Sequence, residues 1–132
     1  MSTKLLWGVL AAGLAGAALP MWAHHAFSAE FDDKKPVKLQ GVIQKVEWIN
    51  PHSWIHMEVK GADGKTVTWM VELGAPNTLL RRGWTKASIP KGIEILVEGF
   101  QAKDGAARAN GRMLRLPDGK ELFSGPGDEK EK

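Results

Sequence analysis

The chain has 132 residues, 43% of them apolar and 25% charged, which is the composition of one ordinary globular domain. It contains no cysteine, so disulfides, thiolate metal sites and a cysteine nucleophile are excluded. The net charge is +3, and no run of Lys or Arg exceeds two residues, so the basic footprint of a nucleic-acid binder is missing.

Residues 1–23 read as an export signal. Lys4 supplies the positive start, Leu5 to Leu19 form an uncharged apolar run, and Pro20 breaks it. The run is short for a membrane span. Cleavage after Ala23 is expected, with two alternatives: cleavage after Ala18, because Met21 is large for its place before the cut, and retention as an anchor. The signal predicts a periplasmic or secreted protein with no stable membrane span once it is removed.

A cut after Ala23 makes His24-His25-Ala26-Phe27 the mature start. A free α-amino group and the first imidazole chelate one metal ion, and another imidazole completes the site. Amine and imidazole nitrogens suit Cu(II) by ligand type and planar geometry. The competing reading is a solvated chain end.

Residues 24–36 form a lead-in to the body. Phe27 and Phe31 are four apart, so one helical turn places both rings on one face, packed against the body.

From residue 37 the pattern is β. Val37 to Trp48 alternates imperfectly, and Gly41 stands where the parity changes, the mark of a bulge or strong bend. Ile55, Met57 and Val59 alternate cleanly with their neighbours, and Asp63-Gly64 turns the chain. Val67, Trp69, Val71 and Leu73 share one face of the partner strand, and Val67, Trp69 and Val71 are expected to line the core with Ile55, Ile95 and Val97. Pro76 near its start, Arg81 and Arg82 in its last turn and Gly83 beyond frame a short helix. A fourth strand carries Ile93, Ile95 and Val97. A fifth runs from about Ala107 to Leu116, and a short return strand from Lys120 to Phe123. Residues 125–132 lack apolar side chains other than Pro126 and are expected to be disordered. Three strands, a helix and two more strands is the order of an OB-like barrel, mainly β and with five to six strands, over residues 37–124. A plain meander sandwich is the rival.

The nine residues from Trp48 to His56 hold two of the six tryptophans and two of the four histidines. Pro51 splits them into a strand end, a corner and a new strand. The rival is a helix capped by Asn50, with His52 and His56 on one face. In a strand those histidines stand about 13 Å apart and cannot share an ion. His52, at the corner, is then the one to join His24 and His25 as a metal ligand. His56, beside Glu58, reads as a structural residue at the rim. Trp48, Asn50, Trp54 and His56 form a candidate ligand-binding corner. Arg81, Arg82 and Trp84 form a second candidate surface, for an anion or a flat ligand; a helix end stabilised by its cations is the alternative. Glu72, at a strand end without a spaced acidic partner, reads as a solvated edge residue. There is no phosphate loop and no nucleophile elbow, so no catalytic residue is assigned.

Taken together, several segments are similar to one family. They are His24-His25-Ala26-Phe27, Glu30-Phe31-Asp32, Val46-Glu47-Trp48 with Asn50-Pro51-His52-Ser53-Trp54, Trp69 to Gly74, and Leu80-Arg81-Arg82-Gly83-Trp84. The family is the exported bacterial proteins catalogued as domain of unknown function 6152. The resemblance implies export and a single small β domain, and no activity. Two functions are therefore expected. One is a periplasmic copper-binding protein using His24 with His25 or His52. The other is a metal-free module presenting the Trp48–Trp54 corner to a periplasmic protein or small ligand.

Overall fold

The computed structural model describes residues 27–124. The expected signal segment, His24, His25 and the tail lie outside the described residues. Strand β1 spans Phe31–Glu47, β2 Trp54–Lys60 and β3 Thr66–Glu72; helix α1 spans Pro76–Arg81; a 3₁₀ turn covers Lys86–Ser88; β4 spans Glu94–Ala102, β5 Arg108–Arg115 and β6 Glu121–Phe123. The expected architecture is the one adopted: mainly β, with one short helix between the third and fourth strands.

The strands join in the order β3-β2-β1-β4-β5-β6, and a parallel pairing of β3 with β5 closes the first five into a ring. One edge of β5 serves two partners in turn. Residues 108–110 meet β3, and residues 113–115 meet β6.

Strand β1 is long because it serves two neighbours. Its first part, through Val42, pairs with β4, and Gly41 onward pairs with β2. At Gly41 the two pairings overlap, opposite Val59 on one side and Ile95 on the other. A Cβ there would run into the Glu58 carbonyl oxygen, so only glycine fits between the strands. The parity change itself comes later than the sequence suggests. Leu39, Gly41 and Ile43 all point inward, and the register shift lies between Ile43 and Lys45.

The lead-in is shorter than expected as well. Residues 27–30 are helical, but β1 already begins at Phe31, which is 2% exposed and pairs with Ala102. The Phe27 and Phe31 rings stack with centroids 5.8 Å apart, as their spacing predicts.

The core lies inside the ring. Ile43, Ile55, Met57 and Val71 are fully buried, and Leu79 of the helix and Trp84 just beyond it join the same core. Strand β2 alternates as its sequence demands, with Ile55 and Met57 inward. Val67 departs from the expected core, being 45% exposed. It has the parity of Val71, but it pairs with Val59 near the hairpin tip, where little of the ring covers it. Trp69 is half-buried against the core. Pro76 starts α1 in place of a side-chain cap, and Gly83 ends it at φ +90°.

Candidate functional site at the His52 corner

The corner between β1 and β2 is pinned by backbone. Ser53 N–H donates to Gly74 O at 3.0 Å, and Leu73 N–H donates to Ser53 O at 2.8 Å. These bonds hold residues 52–53 against the chain leaving β3. Extended structure continues from Trp54, so the helical alternative for residues 50–56 does not form. Its steric reason is the pairing of Trp54 through Lys60 with β3, which takes up those backbone groups.

Cross-strand register aligns a row of side chains on the outer face of the sheet. Glu47 on β1 faces Trp54 on β2, Trp54 faces Glu72 on β3, Glu72 faces Asn110 on β5, and Asn110 faces Phe100 on β4. Directly opposed residues share a face. The helical turn at 27–30 covers the far end of the row. The Phe27 ring meets Phe100 edge-on at 5.9 Å, and the Arg112 guanidinium stands 4.8 Å from the Phe27 centroid.

His52 joins this row at Glu72. Its Nδ1 lies 3.7 Å from Glu72 Oε1. The two side chains differ in exposure: 46% for His52 and 12% for Glu72. Glu72 is thus no solvated edge residue. The Asn110 amide donates to the same Oε1 at 3.4 Å. Burial pushes the Glu72 carboxyl above its ordinary range; nearby His52 opposes the rise, Glu30 adds to it, and Asn110 and Arg108 offset it in part.

The sign of that shift yields a test. A carboxyl that holds its proton more tightly when folded adds stability below its ordinary pKa of about 4.3. That stability is lost as pH rises through the higher folded value. Glu72→Gln cannot ionise, so the variant without metal should melt above the parent at pH 7 and together with it at pH 4. Thermal denaturation in chelator at both pH values checks this. An equal offset at both would assign the effect to packing.

His56 belongs to a different group. Its Nε2 lies 3.0 Å from Glu47 Oε2, and Lys45 Nζ lies 2.9 Å from Glu47 Oε1. The His56 hydrogen bond, then Lys45, hold the Glu47 carboxyl below its ordinary range. The two corner histidines therefore face separate carboxylates, as strand spacing predicts.

The other candidates divide by exposure. Trp48 and Trp54 are half-buried, Trp48 packs on the core, and Asn50 is exposed. Ile49 between them is 49% exposed. Arg81 is exposed and Arg82 half-buried at the end of α1. Trp84 is corrected: it is 0% exposed, and its Nε1–H donates to Phe123 O at 3.0 Å, so it offers no face to a ligand.

Among the described residues, no group of three or more His, Cys, Asp or Glu is gathered to hold a metal, and no helix is long and apolar enough to cross a membrane.

A family model, described as a family of unknown function (DUF6152), matches residues 11–111. The chain belongs to that family. The DUF6152 match takes in the corner, Glu72 and Asn110 and ends before β6. No curated protein and no solved structure matches the chain.

Proposed function

We propose that this DUF6152 protein is an exported, periplasmic OB-like barrel that binds one Cu(II) ion. The ligands are the terminal amine, His24 and His25 of the mature chain, and His52 of the body. The observation that carries the reading is the position of His52 beside Glu72, whose carboxyl also feels the charge of Glu30. Phe27, the first described residue, stands two residues after His25 and packs on Phe100, at the other end of the row that His52 joins. Amine and imidazole donors rank Cu(II) above Zn(II), Co(II) and Mn(II).

The test needs the native terminus. Intact mass of the exported protein should give a start at His24. Titration should then give one Cu(II) per chain, with a nitrogen-rich tetragonal EPR spectrum. Affinity should fall with pH, since each ligand must shed its proton. One residue added before His24, or His24→Ala, should weaken binding or change the spectrum, whereas His56→Ala should do neither. Unchanged binding by the extended protein would refute the terminal chelate.

The second reading is a metal-free module that presents the Trp48–Trp54 corner to a periplasmic protein or small ligand. The exposed Ile49 between two half-exposed tryptophans favours it. A protein that starts at His24 and takes up no copper would make it the better reading.

A further inference from the structure

We propose that the groove on the outer face of β1, β4, β5 and β6 binds a small apolar carboxylate, with its charge at Arg112 and its body laid along Met113 to Phe123. The site lies apart from the His52 corner and does not rest on the copper reading. It begins with a fault in the ladder. Glu98 pairs with Met113 and Gly99 with Gly111, so Arg112 is an extra residue on β5. Alternation breaks there: Gly111 and Leu114 are buried, while Arg112 and Met113 between them are both half-buried. A bulge of this kind re-aims a side chain and bends the strand. The result is a cation beside a thioether on one face.

Register supplies the rest of the surface. Met113 faces Phe123 on β6 and Glu98 on β4, and Glu98 faces Lys38 on β1. With Phe100 these side chains line a groove of about 740 Å³, within the roughly 300–1,000 Å³ of small-molecule sites. Its floor is apolar, from Phe100, Met113 and Phe123, and Phe123 is 40% exposed. A phenyl ring left open in a concavity favours an apolar body over water.

Charge sets the other half of the ligand. At one rim Lys38 meets Glu98 at 3.4 Å, and at the other Arg115 meets Glu121 at 2.6 Å, so each rim carboxylate already has a cation. Arg112 is the third cation against two carboxylates, and the lining carries one excess positive charge. Its guanidinium is held 4.8 Å from the Phe27 centroid and 5.6 Å from that of Phe100. Two rings thus fix the guanidinium before a ligand arrives, and a fixed guanidinium suits a carboxylate. Phe100 on β4 and Phe123 on β6 are two strand spacings apart, so the body is about 10 Å long.

The experiment titrates the full exported protein with para-phenylbenzoate and with the neutral para-phenylbenzamide, by calorimetry and by amide chemical shifts. The acid should saturate one site with Kd below about 1 mM. It should bind at least about tenfold tighter than the amide, the ratio that one charge-assisted contact provides. Shifts should centre on residues 98–100, 112–113 and 123. Arg112→Gln should remove the preference for the acid, and Phe123→Ala should weaken acid and amide alike. Arg81→Gln, at the end of α1, should change neither. Equal binding of acid and amide, or a shift map centred on the Trp48–Trp54 corner, would overturn the assignment. So would parental affinity in both groove variants, or no saturation by the acid. If Arg112→Gln fails to fold by circular dichroism, the parent's acid-to-amide ratio and the shift map still decide.

Discussion

Trp84→Ala is expected to destabilise the fold by about 3–5 kcal/mol, the range for removing a buried large aromatic. The indole is 0% exposed and packs with Leu79 and the other side chains that fill the ring. Its loss leaves a cavity among the core side chains that only partial relaxation can fill. It also removes the donor to Phe123 O, at the end of β6. Ser124 Oγ accepts from Gly74 N–H at 2.9 Å just beyond, so the damage should spread to the β6 end. Trp84→Phe should cost less, because it keeps a ring and loses the N–H. Lys86→Ala, exposed on the neighbouring turn, should stay within about 0.5 kcal/mol. Urea denaturation reads all three, and a Trp84→Ala cost below 1 kcal/mol, by the same order of reasoning, would remove Trp84 from the centre of the core.

Gly41→Ala is expected to cost about 3 kcal/mol, at the top of the usual range for overpacking. The obstacle is the Glu58 carbonyl, which is backbone within a paired strand and cannot rotate away. The added methyl must therefore part β1 from β2 at the point where β1 also holds β4. Gly74→Ala provides the contrast. There a Cβ would meet Leu79 Cδ2 and Ser124 O at 3.5 Å, ordinary contact distances, and φ is not positive. That variant should be close to neutral. Similar costs at both glycines would mean that the sheet yields at Gly41.

What the sequence made legible was local. The alternation of Ile55 and Met57, the Asp63-Gly64 turn and the Pro76 and Gly83 marks of α1 each lie within a few residues, and each is realised in place. The position of Phe27 over Phe31 followed from spacing alone. What failed depended on neighbours distant in the chain. Val67 has the right parity for the core but lies toward a hairpin tip, and parity carries no information about cover. The shift after Ile43 answers to the pairing with β2 rather than to Gly41. Trp84 follows a stop signal, which says where a helix ends and not where the next side chain goes. Glu72, which the sequence reads as a solvated edge residue, is instead only 12% exposed. Its burial comes from Asn110, 38 residues away, across a parallel contact that no turn signal announces. His52, by contrast, was singled out from its corner and does stand at that contact.

The parallel contact has a kinetic meaning too. Strand β3 meets β5 only over Met70–Glu72 and Arg108–Asn110, with one further backbone bond from Met70 N–H to Ala107 O at 3.1 Å. On its other edge β3 pairs with β2 from Thr66 to Glu72. The circle of strands can therefore unbuckle at one place while the β2–β3 hairpin stays whole. Amide hydrogens at residues 70 and 108–110 should exchange with solvent sooner than those of the β1–β4 pairing. Glu72 and Asn110 stand on opposite sides of that buckle. Whatever binds both fastens it, and the slowing of exchange at these few amides reports occupancy of the corner without any need to know the occupant beforehand.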